Sequence, residues 1–206
     1  PYEYAWRVCF EESYQGKAAA LFAKNTLDKT KAVIFKEVSE YGQGNAESFK
    51  TEFEALGGTV VDQIQYNSGD QDFSSAITKI KGMDFDVIYV SGYYNEAGKI
   101  IKQAKDAGID TPILGKDGFD SETLIDQAGK DYCNNVYFTT AYTAIDPSEQ
   151  LSKFIEEYKD DEDKLIEYFD HERYGKEQMY TTIDRRLSEY TKLKESPYFG
   201  KVTFEE

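Results

Sequence analysis

The chain has 206 residues, which is long enough for one large domain with a sizeable core. Its 39 acidic residues against 24 Lys and Arg leave a net charge of -15. That charge argues against nucleic acid or anionic lipid as a partner, because both are polyanions that favour basic proteins. No apolar run approaches the roughly 20 residues that a membrane-spanning helix needs.

Strands and helices alternate over the first 140 residues. The predicted strands cover residues 6–10, 32–35, 59–66, 86–91, 112–115 and 135–139. The predicted helices cover residues 17–27, 42–56, 70–80, 95–107 and 121–128. Because each strand follows the previous one by about 25 to 30 residues, the pattern predicts βαβ crossovers and a parallel sheet. We therefore expect an α/β fold, a three-layer sandwich with a mainly parallel sheet.

The predicted strand at residues 86–91 is the centre of this sheet. It is a β-branched, apolar run of the kind that is buried on both faces. Gly92 ends the run, and Tyr93 and Tyr94 follow it before the next helix begins. The two tyrosines therefore lie at the carboxyl end of the strand, where open α/β sheets bind ligands.

The pattern changes beyond residue 142. A helix is predicted from Asp146, the acidic run at residues 160–163 marks a break, and further short helices precede a last strand at residues 200–204. The acidic run lacks the Gly and Glu that a calcium-binding loop requires at its sixth and twelfth places, so it predicts no metal site.

Signals of enzymatic chemistry are few. The single histidine, His171, lies far from Cys9 and Cys133, which excludes a credible nucleophilic set or a His-rich metal site. The two cysteines form no disulfide framework, and we expect them to be small core residues. Gly42-Gln43-Gly44 resembles the start of a dinucleotide fingerprint, but Glu47 stands at the third glycine position. We expect no enzyme activity, no catalytic residue, no cofactor and no metal.

Polar and aromatic residues follow three of the predicted strands. Tyr41, the pair Tyr93 and Tyr94, and Asp117 all lie in loops at the carboxyl edge of one parallel sheet, so their side chains can face a shared crevice. An Asp in such a crevice can hold an ammonium group, and tyrosine faces add apolar surface and cation–π attraction. This chemistry suits a small zwitterion. Tyr and Asp are also common in surface loops, so spacing alone leaves both interpretations open.

Several motifs in unbroken order carry a resemblance to a known family. They are Arg7-Val8-Cys9-Phe10, Ser13-Tyr14-Gln15-Gly16-Lys17-Ala18-Ala19-Ala20, Tyr41-Gly42-Gln43-Gly44, Gly69-Asp70-Gln71-Asp72-Phe73-Ser74, Gly92-Tyr93-Tyr94-Asn95-Glu96-Ala97-Gly98 and Leu114-Gly115-Lys116-Asp117-Gly118-Phe119. From residue 1 to about 159, and again near residues 200–205, the chain resembles the second lobe of the type I periplasmic binding proteins. Within them it is most similar to the branched-chain amino-acid receptors of ABC importers.

The resemblance implies a flavodoxin-like lobe that closes with a partner lobe on an amino acid. It implies that Tyr41 and Tyr93 line the cleft and that Asp117 takes the ligand ammonium. Tyr14 and Tyr94 are further candidates that could instead support the hinge or the loop. Lys116 departs from the family, which commonly has a small residue there. The implied partners are a small amino acid and the membrane subunits of an ABC importer. The implied location is extracytoplasmic, either in the periplasm or at the cell surface as a lipoprotein.

The resemblance also predicts the domain organisation. We expect a flavodoxin-like ligand-binding lobe at residues 1–159, a helical segment packed on it at 160–196 that departs from the family, and a closing strand at 197–206. In the family, a first lobe that holds the ligand carboxylate precedes the stretch that resembles Pro1 and the residues after it. The residues from Pro1 onward do not have the pattern of a signal peptide, and we expect none in this sequence. An isolated lobe would bind weakly or not at all and could self-associate through its hinge surface. The alternative is an engineered or excised scaffold with no ligand function.

Overall fold

The computed structural model describes residues 12–140 and, beyond them, only Glu149, Ser152, Lys153 and Glu156. The chain divides into two compact units, Pro1–Ala141 and Tyr142–Glu206. The predicted strand at 6–10, Cys9, His171 and the segments 160–196 and 197–206 lie outside the described residues. None of the helices within the described residues is both long and apolar enough to cross a membrane.

In the described part of the chain, five parallel strands form one sheet in the order β2-β1-β3-β4-β5. They are β1 Lys31–Glu37, β2 Thr59–Tyr66, β3 Val87–Ser91, β4 Ile113–Gly115 and β5 Val136–Phe138. The predicted central strand is β3, which pairs with β1 and β4 and is buried along its whole length. Because the winding of the chain reverses between β1 and β3, the loops after these two strands diverge and leave a crevice at the carboxyl edge.

Within residues 12–140, one α-helix precedes β1 and four more connect successive strands. They are α1 Glu12–Leu21, α2 Glu40–Ala55, α3 Ser74–Lys81, α4 Tyr94–Asp106 and α5 Glu122–Ala128. A π-helix, Phe22–Thr26, extends α1, and two 3-10 turns, Asp117–Phe119 and Lys130–Cys133, follow β4 and α5. Serine side chains cap the first turns of α2 and α5. The Ser39 hydroxyl accepts a hydrogen bond from the Gly42 amide at 3.0 Å, and the Ser121 hydroxyl accepts one from the Thr123 amide at 3.2 Å. Side-chain caps of this kind satisfy amides that the first turn leaves unpaired.

Helix α1 begins earlier than the sequence predicts, since Gly16 lies inside it rather than before it. The glycine allows α1 to approach α2 closely. A Cβ at this position would lie 2.7 Å from the Asn45 carbonyl oxygen and 2.8 Å from the Phe49 amide nitrogen. Glycine usually disfavours a helix, but Gly16 is needed inside α1 because it allows the close packing of α1 on α2.

The side chains of each strand alternate between two cores. On one face, residues such as Ile34, Tyr89 and Leu114 pack against α1 and α2, and the Tyr89 ring stacks on Phe49 with centroids 4.2 Å apart. On the other face, residues such as Val33, Phe35, Ile88, Val90 and Ile113 pack against α3, α4 and α5. Burial of each such aliphatic or aromatic side chain stabilises the folded state by about 1.5–3 kcal/mol. The predicted three-layer, flavodoxin-like α/β sandwich is confirmed.

Candidate ligand-binding site

Three of the five predicted site residues meet at the carboxyl edge of the sheet. Tyr41 lies in the first turn of α2, Tyr93 immediately precedes α4, and Asp117 follows β4. The rings of Tyr41 and Tyr93 stack with their centroids 4.7 Å apart and their planes 16° apart. The Tyr41 hydroxyl donates a hydrogen bond to Asp117 Oδ1 at 2.8 Å. Tyr41 thus lies in a helix and not in a loop, but two aromatic faces and one carboxylate still converge from three separate segments that follow β1, β3 and β4.

Close backbone packing holds these segments together. The Ser91 hydroxyl, at the end of β3, donates a hydrogen bond of 2.7 Å to the Gly42 carbonyl oxygen in α2. Gly118 lies directly against the loop after β3, because a Cβ there would be 2.7 Å from the Gly92 carbonyl oxygen and 3.2 Å from Tyr93 Cδ1. Only a residue without a side chain fits this approach, so Gly118 sets the position of Asp117 relative to Tyr93.

Gln15 anchors the backbone of Asp117 from the other side. Its side chain is buried at 2 % exposure in α1, and its Oε1 accepts hydrogen bonds from the Asp117 amide at 2.9 Å and the Thr139 hydroxyl at 3.0 Å. The sequence reasoning missed this role. The available signal was a glutamine on the buried face of an alanine-rich helix, where a polar side chain requires a partner.

Lys116 is the residue that most changes the chemistry of the site. Its side chain is fully buried, and its ammonium group lies directly over the Tyr41 ring and 5.7 Å from the centroid of the Tyr93 ring. Tyr41 therefore contacts a cation with its face and a carboxylate with its hydroxyl. We call Tyr41, Lys116 and Asp117 the carboxyl-edge trio.

Asp117 retains capacity for a further donor. Within residues 12–140, no group donates a hydrogen bond to its second oxygen, Oδ2, and the side chain is partly exposed. Its charge also affects Tyr89: burial raises the pKa of the Tyr89 phenol, a hydrogen bond with Ser91 partly offsets this, and the Asp117 carboxylate raises the pKa further. A partly exposed carboxylate beside stacked aromatic rings is suited to bind an ammonium group.

A second polar cluster adjoins the site at the carboxyl ends of β1 and β2. Tyr66 is buried there, and burial, followed by the charges of Glu37 and Glu96, raises the pKa of its phenol far above the ordinary range. Tyr66 is therefore neutral at physiological pH. Its hydroxyl fills the space beside Gly92 in which a Cβ would lie. Glu96 Oε1 accepts a hydrogen bond of 2.8 Å from the Gly69 amide, which ties the loop after β2 to α4.

The other two candidates lie apart from this convergence. Tyr14 is 68 % exposed on α1, and in the part of the chain that is described no hydrogen bond or ring stacking joins it to Tyr41, Tyr93 or Asp117. Tyr94 is partly buried and packs against the core formed with α3, α4 and α5. The structure therefore brings together Tyr41, Tyr93 and Asp117, but it does not bring Tyr14 or Tyr94 to the same point.

Known proteins resemble this chain over most of its length. The model of the periplasmic binding protein family matches residues 1–175. A Leu/Ile/Val-binding protein, BraC3, from Rhizobium johnstonii is 35% identical over 139 residues, which are 67% of this chain and 37% of that protein. These proteins are named as binding proteins and not as enzymes, which fits the predicted lack of catalysis.

Solved structures agree with the sequence relatives. The substrate-binding protein LivJ of a branched-chain amino-acid transporter from Streptococcus pneumoniae, in complex with isoleucine, is 39% identical with a TM-score of 0.66, covering 73% of this chain and 43% of that one. The leucine-binding protein LivK from Thermotoga maritima is 33% identical with a TM-score of 0.69, covering 91% and 52%. The chain thus spans about two fifths to one half of the length of these relatives. The resemblance noted in the sequence is confirmed, and the chain belongs to the periplasmic binding protein family.

Proposed function

We propose that this chain is the second lobe of an amino-acid-binding protein of the branched-chain type that serves ABC import. The observation that carries the proposal is the meeting of Tyr41, Tyr93 and Asp117 at the carboxyl edge, where no residue between 12 and 140 donates a hydrogen bond to Asp117 Oδ2. The Asp117 carboxylate receives the ligand ammonium, and the two stacked rings shield the ligand from water. The relatives named for leucine, isoleucine and valine support this choice of ligand.

By itself the chain binds an amino acid weakly or not at all. The resemblance assigns the contacts with the ligand carboxylate to the other lobe of the family, and the site described here supplies only one half of the polar recognition. Losing those contacts, and the closure that excludes water, lowers affinity by at least about a hundredfold. The location is extracytoplasmic, and the membrane subunits of an ABC importer are the macromolecular partner.

Calorimetry of the 206-residue chain with leucine, isoleucine and valine tests the proposal, together with an NMR titration that detects weak binding. We expect shifts of the Gly92 and Gly118 amides at millimolar ligand and no measurable heat at micromolar ligand. Micromolar affinity of the monomer would contradict the half-site argument. If no ligand shifted these resonances and light scattering showed a monomer, the scaffold interpretation would replace ours.

A further inference from the structure

A ring that would face a ligand ammonium already contacts an ammonium of the protein. Lys116 Nζ lies over the face of Tyr41 and 5.7 Å from the Tyr93 centroid. Tyr41 in turn donates to Asp117 Oδ1. The face of Tyr41, whose hydroxyl binds Asp117, thus already contacts a cation that is tethered to the loop itself.

Two ammonium groups in one small site repel each other. At the effective dielectric of a protein surface site, like charges a few ångströms apart cost enough to lower affinity by about tenfold or more. A ligand without an ammonium, such as the 2-oxo acid that corresponds to leucine, does not incur this repulsion. The Lys116 charge therefore distinguishes α-amino acids from 2-oxo acids of the same size and shape.

We propose that Lys116 is a specificity-determining residue that competes with the ligand ammonium and biases the site against α-amino acids relative to their 2-oxo analogues. This inference rests on the proposed function, because it places the ligand's polar end beside Asp117. Lys116 is fully buried, so its side chain cannot simply leave the site for solvent without rearrangement of the loop.

Lys116→Met is the informative variant, since it keeps the length of the buried stem and removes the charge. In an NMR titration of the full 206-residue chain, we expect this change to raise the affinity for leucine by about tenfold. The affinity for 4-methyl-2-oxopentanoate should stay constant or fall. Lys116→Arg, which keeps the charge, should not reproduce the gain for leucine.

The chain offers a matched control at a distance. Lys102 also lies over a tyrosine ring, with its Nζ 5.4 Å from the Tyr132 centroid, but it is half exposed at the end of α4. Lys102→Met removes the same charge from the molecule and should change neither affinity. Thermal unfolding of each variant verifies that differences in binding do not reflect partial unfolding.

The outcomes separate the inference from the function on which it rests. If leucine binds the wild-type chain and Lys116→Met gives no gain, the inference is overturned while the proposed function stands. A gain of equal size for the amino acid and the oxo acid would also overturn it, because Lys116 would then only fill space. If neither ligand shifts the Gly92 or Gly118 amides in any variant, both the function and the inference fail.

Discussion

The two edges of the sheet carry the same three residue types in different surroundings. Opposite the carboxyl-edge trio, Tyr132, Asp106 and Lys102 form an amino-edge trio. The Tyr132 hydroxyl donates to Asp106 Oδ1 at 2.7 Å, and Lys102 Nζ donates to Oδ2 at 3.1 Å. Both carboxylate oxygens are therefore occupied, and the side chains of Lys102 and Asp106 are 52% and 47% exposed.

The carboxyl-edge trio differs in how deeply its lysine is buried and in how many oxygens of its aspartate accept hydrogen bonds. Its lysine is fully buried, and its aspartate uses only one oxygen within the described residues. Solvent screens the amino-edge trio, so its interactions contribute little to stability or recognition. Residue types alone therefore do not make a site. Shelter from water and an unfilled acceptor distinguish the candidate site from a surface ion pair.

The largest expected effect separates the two aspartates. Asp117→Asn removes the charge that would hold a ligand ammonium but keeps an oxygen for the Tyr41 hydroxyl. We expect affinity for leucine to fall by about 10- to 100-fold, the value of a charge-assisted hydrogen bond. Asp106→Asn should leave affinity unchanged. NMR titration measures both, and equal losses in the two variants would contradict the assignment of the site to the carboxyl edge.

Close packing at the carboxyl edge gives the next effect. Gly118→Ala forces a Cβ against the Gly92 carbonyl oxygen and Tyr93. We expect a loss of about 1–3 kcal/mol in the free energy of unfolding, as for other overpacked positions. Gly44→Ala is the control, because a Cβ there meets no atom within 4 Å and the position is helical. It should stabilise the chain by about 0.5–1 kcal/mol. Urea unfolding that ranked the two variants in the reverse order would argue against the described loop packing.

Removing the two tyrosine hydroxyls compares the trios directly. Tyr41→Phe removes a partly buried hydrogen bond to Asp117 and should cost about 1 kcal/mol of stability. Tyr132→Phe removes a solvent-exposed hydrogen bond to Asp106 and should cost less stability than Tyr41→Phe, because water screens and replaces that bond. Thermal unfolding of the two variants side by side provides the measurement. Equal costs would mean that burial does not distinguish the trios.

The smallest effect concerns pH. Hydrogen bonds from Tyr132 and then Lys102 hold the pKa of Asp106 below its usual range. Since the folded pKa is lowered, the stabilisation is complete above the ordinary carboxyl pKa and is lost as the pH falls through the folded value, below about pH 4. Asp106→Asn should therefore lower the melting temperature slightly at neutral pH, and the difference should vanish in acid. If the difference in melting temperature between the variant and the wild-type chain grew in acid, the result would contradict the lowered pKa of Asp106.

Much of the architecture follows from local pattern. The strand at residues 59–66 coincides with β2, and the apolar run before Gly92 is the buried strand at the centre of the sheet. Ser121 and Gly108 mark a helix start and a helix end as expected, Gly108 with a φ of 79° that favours glycine. These signals depend on a few neighbouring residues, so they can be recognised without knowledge of what packs against them.

Adjacent residues show the limit of such reasoning at the site. The Tyr93 ring stacks on Tyr41, whereas Tyr94, the first residue of α4, packs against the core on the α3, α4 and α5 side of the sheet. Tyr14 is exposed, whereas Gln15, which the sequence reasoning assigned no role, binds the Asp117 amide. Neighbouring side chains on a helix or at a strand end point in different directions, and the packing of whole elements decides which direction is the crevice.

The sequence by itself determined the parallel α/β sandwich, the carboxyl edge as the place of the candidate site and the family, because alternation, strand spacing and ordered motifs are properties of the chain read in one dimension. Only the tertiary structure decided that Tyr41, Tyr93 and Asp117 meet and that the Lys116 ammonium lies over the Tyr41 ring. Those contacts join residues up to 76 positions apart. They depend on how three segments pack around Gly118, which no local pattern specifies.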